Sequence, residues 1–214
     1  MDGDGDGIKD INNPADAIFG TANYLVHSGG KQGTDGIRRA IEGGVRSIEH
    51  GHIADEDTVR LMAERDVWLS IQPFEEGDNP LTPEQIAKAE PTSHWDRVVE
   101  WARLHGTRVA FGTDMLFQPN GTYKQSELLT RFARVFGNAG ALRIATSGNC
   151  ELFALSGRRN PYGEARLGVL ERGAWADMLL VEGDPTQDIN LLTDPDRNLA
   201  VIIKGGQVHK NLLG

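Results

Sequence analysis

From about residue 35 the chain alternates stretches of helical period with short β-rich runs, and this alternation limits it to an α/β fold built on a parallel sheet. Thr34 or Asp35 can cap a helix that runs through Ile37, Ala40 and Ile41, and Gly43 with Gly44 ends it before the strand "VRSIEH". Asp55 then caps "EDTVRLMAER", the strand "VWLSIQP" follows, and Pro73 stops it. A polar segment rich in Pro and Glu leads to Ser93, which can cap "HWDRVVEWARLHG" ahead of the strand "RVAFGTD". Two further helical stretches, "SELLTRFARVF" and "ALRIATSGNCELFAL", carry apolar residues at three- and four-residue intervals. After "SGRRNPYG" the period changes: "LGVLERGAWADMLLVEGDP" and "LAVIIKGGQVHKN" read as short strands separated by glycine turns, with no room for crossover helices.

Chemistry in βα folds gathers where strands end and the following loops begin. His50 closes "VRSIEH" just before Gly51, and Asp114 closes "RVAFGTD" just after Gly112 and Thr113. A neutral imidazole and a carboxylate suit a divalent metal, and a carboxylate beside a metal-bound water can also take its proton. Alone, each residue is more often a hydrogen-bonded strand-end histidine or a helix cap. Placed on two strands with a whole βα unit between them, the pair favours the functional reading. A (β/α)8 barrel delivers ligands in this way, although 214 residues fall short of the roughly 250 that a complete one takes.

Composition excludes several classes. The net charge is −9, and no basic stripe or arginine-rich run offers itself to nucleic acid or an anionic membrane. No apolar run is long enough to span a bilayer, and no signal peptide is visible, so the compartment stays open. Cys150 is the only cysteine, which excludes an internal disulfide and a multi-cysteine zinc site; within "NCELFALSG" it reads as a small core residue without an activating partner.

"AIEGGVRSIEHG", "VAFGTD", "ATSGNCELFALSG" and "LGVLERGAWADMLLVEGDP" together resemble the C-terminal half of the amidohydrolase superfamily, in its imidazolonepropionase and prolidase-like branch, over residues 36 to 211 or so. The resemblance implies a partial TIM-type (β/α)8 barrel over residues 35–160 and a small β composite segment over 161–214. It implies that His50 is a metal ligand of the sixth barrel strand, that Asp114 is the eighth-strand ligand and the proton shuttle of a hydrolytic water, and that Asp177 is structural. The implied reaction is hydrolysis of a C–N bond in a dipeptide, cyclic amide or related small molecule, with one or two divalent metals, often zinc. Members also carry a His-x-His pair on the first strand, usually a Lys or Glu on the fourth and a His on the fifth. No His-x-His precedes residue 50; "HGH" at 50 to 52 lies on another strand, so His52 reads as a rim or loop residue. His27 is the candidate left for the fifth-strand ligand, although its helical surroundings and its spacing favour a helix-end residue. The loop after "SIQP", residues 74 to 93, is the expected determinant of substrate choice, with His94 and Trp95 beside it.

Residues 1–34 carry a different resemblance. "DGDGDGIKDINNPADAIFGTANYLVHSGG" is similar to a lytic transglycosylase segment in which a calcium-binding acidic loop precedes a helix. Asp2, Asp4 and Asp6 with Gly7 take the first, third, fifth and sixth positions of an EF-hand loop, Ile8 the seventh and Asp10 the ninth, but Asn13 stands at the twelfth instead of the bidentate Glu. The alternative is a solvated acidic tail. A joining of two parents near "GTDGIRRAI", in a genome or in an assembly of short reads, is therefore expected. Two other classes stand beside the hydrolase: a calcium-stabilised, peptidoglycan-associated module, and an inactive partial barrel. Half a barrel leaves strand edges unpaired, and dimerisation through them would rescue folding. His50 and Asp114 are fewer than the three protein ligands typical of catalytic zinc, so the chain by itself is expected to have negligible hydrolase activity.

Overall fold

The computed structural model describes residues 34–73, 95–115 and 124–214. His27, the acidic positions Asp2, Asp4, Asp6, Ile8 and Asp10, the loop 74–93 and His94 lie outside the described residues. The chain divides into two compact units, Met1–Val45 and Arg46–Gly214.

In the first unit, helix α1 (Thr34–Glu42) begins and ends where the cap and glycine signals predict. The Gly43 N–H donates to the Arg39 carbonyl at 2.9 Å and the Gly44 N–H to that of Ile41 at 3.0 Å. Gly44 takes the left-handed φ of 88° with which a helix commonly closes.

The second unit opens with β1 (Ser47–Glu49), α2 (Glu56–Glu64), β2 (Trp68–Ile71), α3 (Trp95–His105) and β3 (Val109–Phe111). The strands form a parallel sheet in the order β1-β2-β3, as expected of strands separated by helices. Asp55 caps α2, accepting from the Thr58 N–H at 2.8 Å. All of β2 is buried, as a central parallel strand should be, and Leu69 and Ile71, both fully buried, each contribute about 2 kcal/mol through loss of contact with water.

Register places Ile48, Leu69 and Val109 on one face and Glu49, Ser70 and Ala110 on the other. The second face borders an open cavity of about 550 Å³, also lined by Leu152, Phe153 and Leu155. The strand starts are joined by charge: Asp66 pairs with Arg46 at 3.0 Å and with Arg108 at 3.1 Å.

Helix α4 (Gln125–Arg143) contains both a predicted helical stretch and the start of the next, which meet at Gly137, whose φ of 69° and ψ of 165° are not helical. The side chain of its Phe132, wholly buried, meets Phe111 edge-on at 5.1 Å, stacks on Trp95 at 6.0 Å, and so ties α4 to β3 and α3. The helix then widens into a π turn (Ile144–Gly148) before α5 (Asn149–Phe153). Gly168 packs against that wide turn; a Cβ there would stand 2.6 Å from the Thr146 carbonyl carbon.

Asn149 ends the sheet. Its Oδ1 accepts from the Phe111 N–H at 2.9 Å and its Nδ2 donates to the Phe111 carbonyl at 2.8 Å, so one carboxamide satisfies β3 where another strand would otherwise pair.

Strands β4 (Met178–Val181), β5 (Leu199–Lys204) and β6 (Gln207–Asn211) form an antiparallel sheet, with the short helix α6 (Pro195–Asn198) leading into β5. "LGVLERGAW", expected to be extended, is instead a series of turns, with Gly168 at φ 74° and Gly173 at φ 88°. Asp177 accepts from the Gly205 N–H at 2.6 Å and thereby holds the β5–β6 turn.

Candidate functional site

His50 and Asp114 come together. His50 follows β1, Asp114 follows β3, and His50 Nε2 lies 3.5 Å from Asp114 Oδ2. That is too long for a good N–H···O bond. It is close to the spacing of about 3.3 Å between two ligands of one tetrahedral ion with bonds of about 2.0 to 2.1 Å. Both side chains remain accessible, at 49% and 36% of their surface. Both residues also hold left-handed backbones, at φ 56° and 44°, a conformation that L-residues avoid and that clusters at functional sites.

The glycines beside them have local causes. A Cβ on Gly51 would collide with the Leu69 side chain, and a Cβ on Gly112 would stand 2.7 Å from Gln72 Nε2. At Gly51 the neighbour is a fully buried leucine, whereas at Gly112 it is the end of the Gln72 side chain. The His50 N–H donates to the Ser70 carbonyl at 3.0 Å, which pins the start of the loop to β2.

His52, expected to be a rim or loop residue, bridges strands. Its Nε2 lies 2.6 Å from the Gln72 carbonyl, and its ring stands 6.0 Å from that of His50, centroid to centroid. Burial pushes its pKa below the ordinary imidazole value, against the contact with the Gln72 carbonyl, which favours the charged ring. Gln72, 4% exposed, packs against Gly112 with Oε1 lacking a hydrogen-bond partner among the described residues. Neither residue stood out in the sequence as a site candidate; the second histidine of "HGH" was the one available signal. Cys150, expected to be a small core residue, is only partly buried; burial raises its thiol pKa, and the charge of Asp177 raises it further.

Imidazole nitrogen and carboxylate oxygen are donors that suit a divalent ion, and their separation is compatible with one, while no group of three or more His, Cys, Asp or Glu side chains converges among the described residues.

Comparison with known proteins decides the family, since the Amidohydrolase family profile matches residues 6–208. The chain belongs to the amidohydrolase family. Among curated relatives of this amidohydrolase, the ochratoxinase of Aspergillus niger is 28% identical over 187 residues, 83% of this chain and 36% of its own length. Among solved structures, a prolidase complexed with N-methylphosphonate-L-proline is 28% identical with a TM-score of 0.69, matching 83% of this chain and 43% of its own. A second amidohydrolase is 29% identical with a TM-score of 0.71 over 84% of this chain and 43% of its own. The chain therefore spans well under half the length of these relatives. The family match also runs through residues 6–34, and the expected foreign, transglycosylase origin of that segment finds no support, nor does calcium.

Proposed function

We propose that this amidohydrolase forms part of a metal-dependent hydrolase of C–N bonds in small amides, dipeptides and cyclic amides among them, with His50 and Asp114 as two of the metal ligands. The observation that carries the reading is the 3.5 Å approach of an imidazole and a carboxylate that stand on different strands. The prolidase and ochratoxinase likenesses support the C–N bond as the target. The three parallel βα units are read as part of a TIM-type barrel, followed by the β composite segment.

A bound divalent ion, zinc in this reading, lowers the pKa of water and polarises a carbonyl. The Asp114 carboxylate accepts the proton of the attacking water and returns it to the leaving nitrogen. His50 contributes a neutral nitrogen and adds no negative charge that would oppose that attack. His27 is kept as the candidate for a further ligand and a second copy of the chain as the candidate partner. The loop 74–93 is kept as the determinant of substrate choice.

N-methylphosphonate-L-proline, the ligand held by the related prolidase, has the tetrahedral centre expected of a transition-state mimic. Equilibrium dialysis of the zinc-loaded chain against this compound tests the proposal. Retention that requires zinc and is lost in H50A and D114N is expected; no retention, or retention indifferent to zinc, overturns it.

A further inference from the structure

Strand β2 lies between the two strands that carry the ligand candidates, yet it runs on into Gln72 and Pro73, neither a metal-binding side chain. Its end is nonetheless tied to both neighbours. On the β1 side, the His52 ring contacts the Gln72 carbonyl at 2.6 Å, and the His50 N–H donates to the Ser70 carbonyl at 3.0 Å. The left-handed backbone of His50 is thus held by β2 at its amide, and the loop that carries it is tied to the end of β2 by the imidazole two residues on. On the β3 side, the Gln72 carboxamide occupies the space that any side chain at Gly112 would need, two residues before Asp114. In doing so Gln72 keeps a buried oxygen without a hydrogen-bond partner among the described residues, where an apolar side chain of similar shape would carry no such penalty.

We propose that His52 and Gln72 are positioning residues: together they make the end of β2 a strut that sets the spacing between His50 and Asp114. The inference rests on the reading of those two residues as metal ligands. In this role His52 and Gln72 need no contact with substrate. Each acts through the backbone it holds, in the way that groups behind metal ligands orient the ligands themselves.

The experiment is a Co2+ titration of the full 214-residue chain, followed through the NMR resonances of the His50 imidazole, with an apo-state melting curve recorded for every variant. H52A should weaken Co2+ binding about tenfold or more while the apo chain still melts cooperatively. H52Q, which keeps an N–H able to donate to the Gln72 carbonyl, should recover affinity to within about threefold of the parent. Q72A, which removes the contact with Gly112, should also lose affinity. The proposal is overturned if H52A binds within about twofold of the parent, if H52Q recovers nothing, or if Q72A binds like the parent. Should H52A not fold, H52N is read against the same limits. Failure of the parent chain to perturb His50 with Co2+ removes the ligand assignment itself, and is seen before any variant is made.

Discussion

His50 and Asp114 are held in left-handed backbone conformations that a glycine would adopt with less strain. Their side chains are half exposed, so packing does not explain residues of this size there. Replacing His50 by Gly should therefore relieve backbone strain and, after the added chain entropy of glycine, leave the protein about 0.5 kcal/mol more stable. It should also abolish metal binding at this site. Urea denaturation beside a metal titration checks both halves, and a large loss of stability in H50G would show that the imidazole is there for structure. That these two residues close their β-rich runs was legible in sequence, His50 directly before Gly51 and Asp114 two positions after Gly112. Their distance was not, since it depends on the register of a third strand between them. The role of His52 was less legible still, because its partner Gln72 is twenty positions away and engages it through the main chain, which carries no sequence signal.

At the scale of elements, helix α1 and the three parallel strands were readable because their signals are local: caps, glycine stops and runs of β-branched or apolar residues. The connection after β3 was readable only in part. The two helical stretches were evident, but not that they join across Gly137 or widen into a π turn before Asn149. "LGVLERGAW" misled because its apolar residues suggest a strand, whereas its glycines hold positive φ and bend the chain. Asn149 itself looks unremarkable in a helical sequence, yet it satisfies the donor and acceptor of Phe111 at once. Replacing it with Leu leaves both groups without that partner, and the expected cost is about 2 to 4 kcal/mol. Chemical denaturation gives the magnitude, and faster hydrogen exchange at the Phe111 amide than at its neighbours locates it. Unchanged exchange at Phe111 would contradict this role for Asn149 at the edge.

For the whole molecule, family membership was legible because four motifs occur in the family's order, a joint pattern far more specific than any of them alone. The acidic repeat at the start finds no such support: it matches most positions of a calcium loop with very few residue types, and chance produces such matches easily. Read as metal ligands, His50 and Asp114 are, among the described residues, one short of the usual catalytic zinc set. The 214-residue chain alone should accordingly show negligible hydrolysis of dipeptides with zinc present. A coupled assay for released amino acid checks this, and robust zinc-dependent turnover would refute it.

The carboxamide of Asn149 has a consequence for how copies of this chain can meet. Open-ended growth of β-structure needs two receptive edges per sheet, so that each newly added molecule offers a fresh one. In the parallel sheet the β3 edge is chemically plugged at Phe111. Among the described residues, strand-to-strand association through that sheet has only the β1 side to use, and it terminates at a pair instead of propagating into a fibre.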